Sequence, residues 1–175
     1  MSRLASVSIE GMPEAQRRLF AEITADPAGT VRGPFGAWVR SPELAGHMLA
    51  IIGFLRDRAA LPARLVELGI LIAVRHWDAR YAWKAHEARG LKAGLDPDVI
   101  AALGAGRAPV FMKADEAAVF AFCTELQEKR AVGAAAYAQA VEALGERGVV
   151  ELTAALGFYT MIAMTVKAFE IPVTG

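Results

Sequence analysis

Apolar residues recur at three- and four-residue spacing along most of the chain, with few β-branched runs, and this pattern predicts an all-α protein. A first helix is predicted to start near Pro13, where PEAQRRLFAEI carries apolar residues at helical spacing, and the loop DPAGTVRGP ends it. Ser41, Pro42 and Glu43 open the second long helix, which is expected to run to about Arg58. Serine can cap, proline fits the first turn, and glutamate suits the positive end of the helix dipole. Pro62 heads the next helix, PARLVELGILIAVRHW. Its interior, LGILIAV, is apolar on all sides, which predicts a helix central to the core.

The stretch HWDARYAWKAHEARG, residues 76–90, follows either as a continuation of that helix or as a new one after a short kink. Gly90, Gly94 and the pair Asp96 and Pro97 read as turns, with Asp96 capping the short helix PDVIAAL and GAGRAP as a loop. ADEAAVFAFCTELQEKR and AAAYAQAVEAL are further amphipathic helices, and a last helix, long and mostly buried, is expected from about 149 to 169. Val66, Glu67 and Leu68 recur as Val150, Glu151 and Leu152, each trio opening an apolar helix; a match this short is within chance.

Length and composition add a frame. A chain of 175 residues suits one domain, 1–175, with 1–33 as an N-terminal extension and about 35–170 as its core. Hydrophobic residues make up 55%, a surplus best placed at a subunit interface, so a homo-oligomer is expected. The 19 basic and 19 acidic residues balance, which argues against nucleic acid as a partner. The longest uncharged stretch, residues 152–166, falls short of the roughly 20 residues of a membrane-spanning helix, so no membrane partner is expected. The opening MSRLASVSIEGMPEAQ lacks an apolar signal-peptide core, and the cytoplasm is the expected compartment. The single cysteine, Cys123, excludes an intramolecular disulfide and a multi-cysteine metal site.

The chemistry concentrates in residues 76–90. At about 100° per residue, His76, Ala79, Trp83 and His86 fall on one broad helical face, while Tyr81 points elsewhere. Glu67 opens the apolar helix before them, and a carboxylate near an apolar run needs a partner if it is buried. A histidine from the next helix is a natural partner, and such a pair can shuttle a proton near neutral pH. The plainer alternative is a packed or half-exposed histidine beside a tryptophan. No metal site is expected, because His76 and His86 lack the i, i+4 spacing that sets two ligands side by side. Cys123, within VFAFCTEL, reads as a small core residue, and no Ser-His-Asp or Cys-His system is present.

LPARLVELGILIAV followed by RYAWKAH resembles the carboxymuconolactone decarboxylase family, which includes the thiol peroxidases of the alkylhydroperoxidase D type. The shared pattern is Leu-Pro-x-Arg-x-x-Glu-Leu, an apolar helix, then a tyrosine, a tryptophan and a histidine. SPEL, FLR and GLDPDVIAAL also look like the family, and the resemblance covers roughly residues 35–170. It implies an all-α fold, a homo-oligomer from dimer to hexamer, and a functional pair of Glu67 and His86. The chain departs from the family at two points. Peroxidase members carry a CxxC ending four residues before the histidine, and these positions hold Ala79 and Ala82 here. Many other members have a glutamate between the tyrosine and the tryptophan, where this chain reads Tyr81, Ala82, Trp83. Peroxide reduction needs a low-pKa thiolate and a second, resolving thiol, and alanine supplies neither.

The expected function is therefore a cofactor-free, decarboxylase-like or lyase/isomerase-like enzyme acting on a small organic acid or lactone. Glu67 and His86 are its catalytic pair, and Trp83, Tyr81, Arg80 and His76 are placed around the substrate. Arg80, Lys84, Arg64 or Arg75 would hold a substrate carboxylate. The alternatives are a non-catalytic oligomeric binding or scaffold protein that has lost its cysteines and, ranked last, a peroxidase with an unusual thiol.

Overall fold

The computed structural model describes residues 2–5, 13–14, 17–18, 21 and 33–171. Of the helix expected near Pro13, the described residues Glu14, Arg17, Arg18 and Ala21 are helical, and the Arg17 N–H donates to the Pro13 carbonyl at 3.0 Å; the rest lies outside the described residues. From residue 33 on, seven helical stretches follow, and no strand occurs among the described residues: α1 (Phe35–Trp38), α2 (Pro42–Asp57), α3 (Ala63–His76), α4 (Arg80–Lys92), α5 (Pro97–Gly104), α6 (Ala114–Lys129) and α7 (Ala134–Ala168).

The all-round apolar pattern of α3 has the expected consequence. Every residue from 68 to 74 is buried, and α3 packs against α4, α5, α6 and α7 at once. Its approach to α7 is close: a Cβ at Gly69 would sit 2.9 Å from Leu152 Cδ1. Ser41 precedes α2 as expected, but its side chain makes no capping hydrogen bond; its carbonyl accepts the Ala45 N–H at 2.9 Å, the first bond of the helix. Asp96 does cap, its Oδ1 accepting from the Asp98 N–H at 2.8 Å. Gly90 lies inside α4 rather than in a turn. It is buried, and a Cβ there would meet Leu95 Cδ1 at 3.0 Å, so close packing is its use.

The junction between α3 and α4 is a break, not a continuation. The Ala79 N–H donates to the Val74 carbonyl at 2.8 Å and the Asp78 N–H to Arg75 at 3.0 Å, a Schellman closure with Asp78 at φ 47°. Glycine normally fills that left-handed position; aspartate tolerates it better than most side chains. Lys167 Nζ, near the end of α7, holds the Asp78 carboxylate at 3.2 Å.

α7 is broken at Gly145 (φ 69°, ψ 163°), which separates the two helices expected in this region. By length and composition it is the one helix among the described residues apolar enough to cross a membrane, yet 56% of that apolar window is buried inside the protein. Its second segment carries Glu151, buried at 6% exposure. Glu151 Oε2 accepts the Ala60 N–H at 2.5 Å and Oε1 accepts from Arg147 Nε at 2.8 Å. Burial opposes ionisation of this carboxyl, but the bonds from Arg147, Ala60 and Leu61 outweigh it and hold the group below the ordinary glutamate range. The loop that leads into α3 is thereby tied to α7.

Glu151→Gln is expected to cost about 1–3 kcal/mol in urea unfolding at pH 7, because the charge-assisted bonds from Arg147 and the backbone N–H groups of the loop before α3 weaken. A depressed folded-state pKa stabilises above the unfolded value of about 4.3. The difference between wild type and variant should therefore be full at neutral pH and shrink as pH falls below that value.

Candidate functional site

Glu67 and His86 are 19 residues apart and stand on opposite sides of the α3–α4 break. Antiparallel helices joined by a tight turn bring residues equidistant from the turn to the same level, since both rise at the same rate per residue. Glu67 Oε2 lies 2.7 Å from His86 Nδ1, with side-chain exposures of 15% and 6%. A carboxylate only accepts, so Nδ1 donates in this bond and the ring is held in one orientation. Tyr159 of α7 packs against the imidazole edge to face, with ring centroids 4.7 Å apart at 82°.

Glu67 opens on a cavity of about 190 Å³, walled by Ile52 and Arg56 from α2, Ile70 from α3, Arg89 from α4 and Tyr159 from α7. His86 is not among its lining side chains and stands behind Glu67 and Tyr159. Burial first, and then the negative charge of Glu67, push the Tyr159 phenol well above its usual range, against a smaller opposing pull from Arg89. The phenol therefore stays a hydrogen-bond donor at any working pH. Arg56 is engaged by its neighbour Asp57 in a forked pair, with contacts of 2.7 to 3.0 Å.

The other expected site residues go elsewhere. Trp83 and Arg80 line a separate cavity of about 300 Å³ with Arg75, Ala79 and Gly104, and Arg80 pairs with Asp78 at 3.6 Å. Tyr81 is packed over Gly33, whose backbone takes φ +62° and whose missing Cβ leaves room for the phenol ring. His76 is exposed at the end of α3, with its ring 6.3 Å from that of Trp77. The single helical face drawn through His76, Trp83 and His86 does not exist, because the Asp78 turn puts His76 on a different helix. Arg64 is bound to Asp115 and Glu116, Arg75 donates to the Leu103 carbonyl at 3.2 Å, and Lys84 is exposed.

Sequence reasoning missed Arg89 and Tyr159. Arg89 follows His86 by one helical turn, a spacing that could have flagged it. Tyr159 reaches the site from α7, and no local pattern announces that contact. No group of three or more His, Cys, Asp or Glu side chains arranged to hold a metal occurs among the described residues.

No protein-family model and no curated protein matches the sequence. Solved structures do match. A protein of unknown function from Agrobacterium tumefaciens, a candidate antioxidant-defence protein AhpD, aligns over 82% of this chain and 99% of its own, with a TM-score of 0.70 at 16% identity. An uncharacterized peroxidase-related protein from Silicibacter sp. TM1040 aligns over 98% of this chain and 91% of its own, with a TM-score of 0.75 at 18% identity. The chain has the all-α, AhpD-like fold of these proteins, at an identity that carries the fold and not their chemistry.

Proposed function

We propose that the protein is an acid–base enzyme that moves a proton on a small organic acid or lactone, in a decarboxylase-like or isomerase-like reaction. The observation that carries this reading is the 2.7 Å bond between His86 Nδ1 and a Glu67 carboxylate that lines a half-open cavity. Glu67 is the group that meets the substrate, and His86 is its proton partner. In a decarboxylation, the bond to the carboxyl carbon breaks, carbon dioxide leaves, and the electron pair stays on the substrate as a carbanion or dienolate. A proton then passes from the imidazolium through Glu67 to that carbon, and solvent restores it. In an isomerisation the same pair removes a proton at one carbon and returns it at another. The reading needs no group beyond these side chains. We place the enzyme in the cytoplasm as a homo-oligomer, the apolar side chains of Val110 (85% exposed) and Met112 (89%) favouring self-association.

A thiol peroxidase is the weaker reading. Ala79 and Ala82 are both buried. The one thiol, Cys123, has no exposed surface, and burial alone pushes it well above the usual thiol range. Its Sγ faces the α3 backbone, 3.8 Å from where a Gly69 Cβ would stand. A protonated thiol without a charge partner does not attack peroxide.

Two outcomes are expected. A thermal-shift screen of small carboxylic acids and lactones should find ligands that stabilise the wild type, and turnover of a stabilising ligand should fall about 100-fold or more in Glu67→Gln and in His86→Gln. Unchanged turnover in both variants would sink the proposal. Cys123 in the native protein should resist a thiol-specific disulfide reagent at pH 8 and react fully only in denaturant; rapid native labelling would reopen the thiol reading.

A further inference from the structure

We propose that Arg89 and Tyr159 form a carboxylate-binding subsite in the Glu67 cavity, so that its substrate is an anionic acid rather than a neutral lactone. This rests on the acid–base reading of the same cavity and narrows it to one substrate class. Arg89 lines the cavity and makes no hydrogen bond or ion pair among the described residues. The other arginine of this cavity, Arg56, is engaged by Asp57. A planar guanidinium left open beside a cavity is matched to a carboxylate by two parallel N–H donors.

Tyr159 supplies an independent observation. The residue is only 6% exposed, lines the same cavity, and its hydroxyl makes no hydrogen bond among the described residues. The ring is packed away while the hydroxyl keeps accessible surface, so an acceptor in the cavity can take its hydrogen bond in place of solvent. The hydroxyl lies within electrostatic reach of both Glu67 and Arg89. An anion drawn to Arg89 would thus leave the rest of a small molecule toward Glu67. Glu67 itself would repel a carboxylate, and its bond to His86 lessens that repulsion. The cavity, about 190 Å³, suits an acid of a few carbons.

The test uses the full-length protein with 4-oxopentanoate, its uncharged methyl ester, butanoate and hexanoate, and reads binding by saturation-transfer NMR and calorimetry. Wild type should bind the acids at least tenfold more tightly than the ester. Arg89→Ala should lose about tenfold or more, with partial recovery in Arg89→Lys, and Tyr159→Phe should lose several-fold. A circular-dichroism melt checks that each variant is folded, and Arg89, exposed on α4, should be replaceable without loss of the fold. Equal binding of acid and ester, full affinity in Arg89→Ala, or no binding of any of the four probes would each overturn the subsite. Solvent-deuterium incorporation next to the 4-oxopentanoate ketone separates the two readings. Arg89-dependent binding without Glu67-dependent exchange keeps the subsite and removes the acid–base function. Glu67-dependent exchange with Arg89-independent binding does the reverse.

Discussion

A carboxylate on the helix that forms the core can stay there only with a partner, and the arrangement of α3 and α4 follows from that constraint. Glu67 belongs to a helix whose next seven residues are all buried, so leaving it unpaired would carry the desolvation cost of an isolated charge. His86 meets the need at 2.7 Å, and Tyr159 closes the side that α7 covers. The same helix that excludes water from the pair also fixes where the cavity can be. α2 and α7 leave a cavity beside Glu67, and Arg56 and Arg89 line it. Packing and chemistry are not separate layers here, because one polar residue on an apolar helix serves both.

Glu151, more deeply buried than Glu67, shows what an unreactive solution to the same problem looks like. Glu151 also opens an apolar helical segment, but backbone N–H groups and Arg147 satisfy it, and no cavity among those described opens on it. Its role is to tie the loop before α3 to α7. Glu67 instead has one partner among the described residues, with an exchangeable proton, and a face left open, and that difference in satisfaction separates a structural carboxylate from a candidate acid or base.

Much of the fold was legible because it rests on periodicity. LGILIAV is apolar on all sides, and a helix of that kind can lie only at the centre. Proline and aspartate at helix starts were read correctly for the same local reasons that make them work. Asp78 was harder: a left-handed turn residue that is not glycine leaves no mark in the sequence, so the break after His76 stayed undecided and a helical face was drawn through it. Gly90 misled in the opposite way, since a glycine serves a turn and a close contact alike. The pairing of Glu67 with His86 could be anticipated from the need for a partner and from the resemblance. The cavity walls could not, because α2, α4 and α7 meet there only through tertiary packing.

The turn at Asp78 has a consequence for how the chain can vary. Most surface connections tolerate an inserted or deleted residue, because only their ends are constrained. This one sets the rotation of α4 about its own axis. One residue more or less would turn every α4 side chain by about 100°, which would swing His86 away from Glu67 and expose a buried face. The connection between the two halves of the site is therefore intolerant of changes in length even though Asp78 itself is exposed to solvent. Lys167, reaching it from the far end of α7, fastens that register at the surface.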